Sequence, residues 1–357
     1  MSRCLGIPCT VACLLTLAVF VAAPHLAYAE PTDAPDLSTL ESNNAWDYYL
    51  AAMDALPWDR PWRDLPPDAS GEEYARAVAP AAHALALVHE GVGKPCHPGW
   101  ASHAAENPSL LEPAAGCRQL ALLIGAGIRA HHRQGDRNAA LATAADGLAF
   151  SVGIARDAPQ TARSIARACQ AIVTHHACLV VQDTDDPDAL TTLLQSALQA
   201  RAGLPSLAED IAFDREYVIE EFNADVAEYP EEMAEYYEKR YDFEFDATKI
   251  EEYTRRMDLV FARAIHIAAT SNLPQTYRRF ERLCQRDWIH DYALVVDVLA
   301  MKQVAETRAK LDLAAVGAAL RIHLARTGEY PETLEELAPA ILPTVPLDPC
   351  TDQPYLY

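Results

Sequence analysis

Apolar side chains recur every three or four positions along most of this chain, which is the period of a helix that buries one face. Trp46, Tyr49, Leu50, Met53 and Leu56 form the first such stripe, with Asn43 or Asn44 as its cap and Pro57 as its stop. The loop Trp58 to Trp62 is expected to fold its two tryptophans back over that helix. Ser70 with Glu73 reads as a capping box that opens a helix to about His89, interrupted at Pro80 because proline lacks the N–H a helix interior needs.

Cys117 to Arg133 and Asn138 to Arg156 read as two helices joined by Gln134-Gly135-Asp136-Arg137, an αα-hairpin. A third helix runs from Pro159 or Gln160 to about Val181, and a fourth from Asp188 to Ala200 after the turn Asp183 to Pro187. Two hairpins in succession predict a stacked array. Farther on, Ile211, Val218, Phe222 and Val226 give another helical seam, whereas Glu228 to Asp246 reads as an exposed excursion around Pro230. Helices follow over 250–271, 274–285 and 292–326, the last with Val295, Leu299, Val304, Leu313, Val316 and Leu320 on its apolar face. Gly328 is the expected left-handed stop, and Pro331 starts a short helix containing Leu334 and Leu337. The fold class is therefore mostly α: stacked αα-hairpins in a helical array, a long C-terminal helix and a short proline-rich tail.

The first residues change the picture of where the chain works. Arg3 is a positive n-region, Leu14 to Ala23 an apolar core, and Ala27-Tyr28-Ala29 a small-residue site for cleavage before Glu30. An exported, periplasmic or secreted protein is expected, with no membrane span in the mature chain if the signal is cleaved; an uncleaved N-terminal anchor is the alternative. The segmentation is 1–29 signal peptide, 30–40 linker, 41–208 N-terminal helical region, 209–258 acidic tyrosine-rich segment, 259–327 helical region and 328–357 tail. Over the 357 residues the formal charge is −22. Nucleic acid is thereby excluded as a partner, because phosphate contact needs clustered Lys and Arg. Residues 209–258 carry 18 Asp and Glu against 6 Lys and Arg, together with six tyrosines.

Removing the signal leaves Cys96, Cys117, Cys169, Cys178, Cys284 and Cys350. An oxidising compartment permits disulfides among them. Cys96 with Cys117 spans a bendable loop, whereas Cys169 and Cys178 on one helix would stand roughly 13 Å apart, too far to bond. Free buried thiols are the other reading. Cys96, His97, His103 and Cys117 are soft ligands close in sequence and suggest zinc, although no C-x-x-C knuckle or H-x-x-x-H pair accompanies them. Asp242, Glu244 and Asp246 would place three carboxylates on one side of an extended segment and suggest calcium. No cofactor is assigned from sequence; zinc and calcium stand as the metal candidates. The His131-His132 and His175-His176 pairs point about 100° apart on a helix, so each should send one ring inward and one outward.

Gly328, Tyr330, Pro331, Leu334, Leu337, Val345, Pro346, Asp348, Pro349, Pro354 and Tyr357 make a further pattern: Gly-x-Tyr-Pro, a Leu-x-x-Leu turn, a Val-Pro-x-Asp-Pro step and a closing Pro-x-x-Tyr. This tail resembles the region after the long helix of type II secretion major pseudopilins, and it is similar to the tails of a group of exported bacterial helical proteins. What the resemblance implies is a structural module that packs on the preceding helix. A pseudopilin carries its assembly helix directly before that module, whereas about 300 residues separate the two ends here.

No Gly-x-Ser-x-Gly, His-Glu-x-x-His, phosphate-binding glycine loop or C-x-x-C occurs. The expectation is an exported non-catalytic protein that binds a protein or envelope component as a scaffold. The alternatives are a metal-assisted hydrolase around Cys96, His97 and His103, and a calcium-binding envelope protein using Asp242, Glu244 and Asp246.

Overall fold

The structure, a computed structural model, describes residues 42–100, 111–156, 158, 160–241, 243–284 and 288–357. The segment 1–41, the zinc candidate His103 and the calcium candidate Asp242 lie outside the described residues. The fold is mostly α, a helical array as the periodicity predicts, and among the described residues there is no strand, only an isolated bridge between Leu347 and Pro354. The chain divides into two compact units: residues 1–204, 310–346 and 357 in the first, residues 205–309 and 347–356 in the second.

The first described helix of the first unit is α1 (Ala45–Asp54), capped by Asn44, whose side chain accepts from Trp46 N at 3.2 Å. α2 (Gly71–Val78) opens on the capping box: Glu73 N donates to Ser70 Oγ at 3.2 Å and Ser70 N to Glu73 Oε2 at 2.7 Å. Pro80 breaks the ladder into a 3₁₀ turn, Ala79–Ala81, before α3 (Ala82–Gly91). The first long hairpin is α4 (Leu111–Arg133) and α5 (Arg137–Gly153), turning at Gly135, whose φ of 84° only glycine adopts without strain. The second is α6 (Gln160–Gln182) and α7 (Pro187–Ala202), with Pro187 at the first helical position and Asp186 capping it. α5 packs against α4, α6 and α7, and α4 against α2 and α6.

Small residues set these approaches. A methyl group on Gly147 of α5 would stand 2.8 Å from Ile124 Cγ2 of α4 and 2.9 Å from Val173 Cγ2 of α6. On α6, Cys169 and Cys178 share one continuous helix, so the spacing argument against their pairing applies. By length and composition α6 could cross a membrane; here it serves as a core helix, with more than half of it buried.

The second unit holds α8 (Leu207–Glu228), α9 (Pro230–Tyr241), α10 (Ile250–Thr270) and α11 (Leu273–Cys284). α8 lies along α10. Its core is aromatic: Phe245 stacks on Tyr237 with ring centroids 4.9 Å apart and leans on Tyr253 at 5.1 Å, while Phe222 meets Phe245 edge-on. The excursion expected over Glu228 to Asp246 is instead mostly helical. Pro230 sits where a missing N–H costs nothing and starts α9, which drives Tyr237 into the core.

The long helix α12 (Trp288–Thr327) gives residues up to Ala309 to the second unit and residues from Lys310 to the first. Within the first unit its buried stripe is Leu311, Ala314, Ala315, Ala318, Ala319 and Ile322, mostly alanine. Leu313, expected on the apolar face, is 50% exposed, and Asp312 is buried. Trp58 is likewise 70% exposed; of the loop's two tryptophans only Trp62 packs inward.

The tail keeps its pattern residues in structural positions. Gly328 stops α12 with φ 86°, and its N–H donates to Leu324 O at 2.8 Å. Leu334 and Leu337 are buried in a 3₁₀ turn opened by a Thr333/Glu336 capping box, so Thr333 and not Pro331 begins it. Arg321 donates to Tyr330 OH at 3.2 Å and to Thr184 O at 3.0 Å, and pairs with Asp185, which ties tail, α12 and the α6–α7 turn together. Tyr357 OH donates to the carbonyl of buried Pro331 at 3.0 Å. In the second unit the half-buried Asp348, between half-buried Pro346 in the first unit's sequence and Pro349, accepts from Cys350 N at 2.9 Å and Thr351 Oγ1 at 2.8 Å.

Candidate functional site

Among the residues picked out for zinc, Cys96 and Cys117 are both buried, while His97 is exposed. The loop that carries Cys96 is clamped by Asn44, whose Oδ1 accepts from His97 N at 2.9 Å and whose Nδ2 donates to His97 O at 3.3 Å, and by Trp100 Nε1, which donates to Ile154 O at 3.1 Å. This clamp turns the Cys96 sulfur inward against Gly153, where an added methyl would lie 3.1 Å from it. Cys169 Sγ donates to Cys117 O at 3.6 Å. Burial pushes the Cys96 and Cys169 thiols up to about 12 and raises that of Cys117 well above the usual range. Nucleophiles and metal ligands need the thiolate, so the environment holds these three cysteines in the packing form. Among the described residues no group of three or more His, Cys, Asp or Glu stands close enough to hold a metal.

Glu244 is exposed and Asp246 half-buried, with Phe243 and Phe245 alternating toward the core. Asp246 caps the 3₁₀ turn Ala247–Lys249: its Oδ1 accepts from Thr248 N at 3.0 Å and from Thr248 Oγ1 at 2.6 Å. Those hydrogen bonds, with Lys249 nearby at 3.5 Å, hold its carboxyl below the ordinary value.

The His175-His176 pair splits as expected from helix geometry, with His175 exposed and His176 half-buried, whereas His131 and His132 are both half-buried. His176 is half-buried between α6 and α4, over Gly125, and Arg129 Nε donates to its Nδ1 at 3.1 Å. Arg129 Nη1 also donates to Tyr74 OH at 2.8 Å. Desolvation first, then the Arg129 charge, pushes His176 down to about 4, so it is a neutral acceptor. His132 reaches Asp183 at 3.0 Å, and Asn138 reaches Asp186 at 2.7 Å.

Two features escape the search for ligand motifs. On α6 the residues Arg163, Arg167, Gln170 and Thr174 are all buried, although their type is usually exposed. Their spacing of four, three and four residues puts them on one face, and that spacing within an apolar run was the available signal. Neither amide atom of Gln170, nor Thr174 Oγ1, has a hydrogen-bond partner among the described residues.

The second is α11, the most one-sided of the described helices. It buries Thr276, Phe280 and Leu283 and exposes Tyr277, Arg278, Arg279, Glu281 and Arg282. Among the described residues Arg278 and Arg282 donate to helix carbonyls, Pro274 O and Arg278 O, and Arg279 to Ser271 Oγ. Among the described residues none of the three is ion-paired to a carboxylate. The opposite charge is displayed on α9, where Glu231, Glu232, Glu235 and Glu238 are exposed beside Tyr236. Screening the chain against protein-family descriptions, curated proteins and solved structures gives no match to any of them.

Proposed function

We propose that this chain is an exported, non-catalytic helical protein that acts as an interaction scaffold in the cell envelope, binding a protein partner through charged helix faces of its second unit. The observation that carries this reading is the face of α11: three guanidinium groups without a carboxylate partner among the described residues, on a chain of net charge −22. Arginine presents a planar fork that matches a carboxylate bidentately, so such a face favours an acidic protein surface. The rivals have less support. A hydrolase around Cys96, His97 and His103 would start from a thiol shut into the core and a histidine facing away from it. A calcium site on Glu244 and Asp246 would compete with the turn that Asp246 already caps.

The test is native purification of the full chain from the envelope of the producing cell, beside an Arg278→Glu/Arg282→Glu variant, with identification of co-purified proteins by mass spectrometry. The scaffold reading expects a stoichiometric protein retained by the wild type and lost from the variant. Recovery of both forms without a stoichiometric protein, the wild type being at the same time monomeric, contradicts it.

A further inference from the structure

We infer that the partner of the α11 arginine face is the acidic α9 face of a second copy of the chain, so that the protein self-associates; this rests on the scaffold reading. Both surfaces are present in every copy and both are solvent-facing. On α9, Glu231, Glu235 and Glu238 are spaced four and three residues apart, which places their carboxylates along one face, while Tyr237 anchors the opposite face in the core. On α11, Arg278 and Arg282 are also four apart, with Arg279 beside them, over the buried anchors Phe280 and Leu283. Four residues rise about 6 Å on any helix, so two carboxylates and two guanidinium groups meet in register when the helices lie side by side.

Net charge does not forbid the contact. At physiological ionic strength charges farther apart than about 8 Å are screened, so the local match outweighs the mutual repulsion of two acidic chains. On α9 the exposed Lys239 pairs with Glu235 in its own helix, an arrangement that a new arginine can displace because exposed pairs are weak. The contact joins two different faces and is heterologous, so it builds chains or rings and not an isolated two-fold dimer. An interface of two helix faces is small, and the association is therefore weak and strongly salt-dependent.

Sedimentation velocity of the purified full chain at about 50 mM and about 500 mM salt tests this. The expected result is concentration-dependent oligomers at low salt and monomer at high salt. Arg278→Glu/Arg282→Glu alone and Glu231→Arg/Glu235→Arg alone should each be monomeric with unchanged helical circular dichroism. Mixing the two variants should restore association, because the mixture contains an intact α9 opposite an intact α11. A wild-type chain that stays monomeric at low salt overturns the inference, as do oligomers that persist in both charge variants. If the chain is monomeric yet a different acidic protein co-purifies through Arg278 and Arg282, the second copy is wrong and the scaffold reading survives.

Discussion

Asp312 of α12 is 1% exposed, and its carboxylate is held by the guanidinium of Arg201, the penultimate residue of α7. A charge so deeply placed is tolerated only because it is paired, and the pair fixes which residues of the long helix face inward. With Asp312 turned in, the close-packing stripe runs through Leu311, Ala314, Ala315, Ala318 and Ala319, and Leu313 is turned out. Replacing Arg201 with Ala should lower stability by about 1–3 kcal/mol, since the carboxylate loses its counter-ion while remaining desolvated. Thermal melting checks this, and the double change Arg201→Leu/Asp312→Leu should recover most of the loss. A melting temperature unmoved by Arg201→Ala would mean that other groups carry Asp312.

The junction of α4, α5 and α6 makes a second prediction. Alanine ordinarily favours a helix over glycine by about 1 kcal/mol. At Gly147 the added methyl meets Ile124 and Val173 within 3 Å, two branched side chains with little rotamer freedom. Gly147→Ala should therefore destabilise by about 1–3 kcal/mol in spite of the propensity gain. A rise in melting temperature would show that the helices can separate at no cost.

His176 makes stability depend on pH. Its folded value, about 4, lies below the ordinary 6.5, so the folded state prefers the neutral ring and the unfolded chain binds the proton more readily. The stabilisation is full above about pH 6.5 and is lost as pH falls toward 4. Arg129 and His175 stand near the ring, and their charges also disfavour its protonation. His176→Gln, which keeps an acceptor for Arg129 but cannot titrate, should flatten the fall in melting temperature between pH 6.5 and 4. An unchanged slope would assign that acid sensitivity to other groups.

The polar face of α6 yields a prediction of opposite sign. Thr174 Oγ1 is buried without a partner among the described residues, and replacing such a group by an apolar one of the same shape is neutral or stabilising. Thr174→Val should hold or raise the melting temperature by the equivalent of about 1 kcal/mol. A clear loss of stability would mean that the hydroxyl is satisfied in the folded protein.

The features legible in the sequence are those decided within one turn of chain. Ser70 with Glu73, Asn44 before Trp46, Pro80 and Gly328 each satisfy or block a neighbouring backbone group, and each does in space what its local pattern implies. What the sequence hid depends on distant partners. Asp312 is made internal by Arg201, 111 positions earlier, and large residues such as Leu313 draw attention away from the alanines that permit close helix approach. Tyr237 looked like part of a solvated acidic run because the rings that receive it, Phe222 and Phe245, come from either side of α9. Residue type and closeness in sequence mark ligand candidates but do not say which way a side chain turns: Cys96 and His97 are adjacent and face opposite environments. The arginines of α11 carried a readable signal, a helix with all its charge on one side, but it is a signal for a surface and not for chemistry.

The central claim, that the exposed face of α11 is where this protein meets its partner, is tested most directly by a photo-crosslinking amino acid at Tyr277 of the full chain in its producing cell. The account predicts a covalent product whose linked peptide comes from Pro230–Tyr241 of another copy. Irradiation that leaves the chain uncrosslinked from Tyr277 would contradict it.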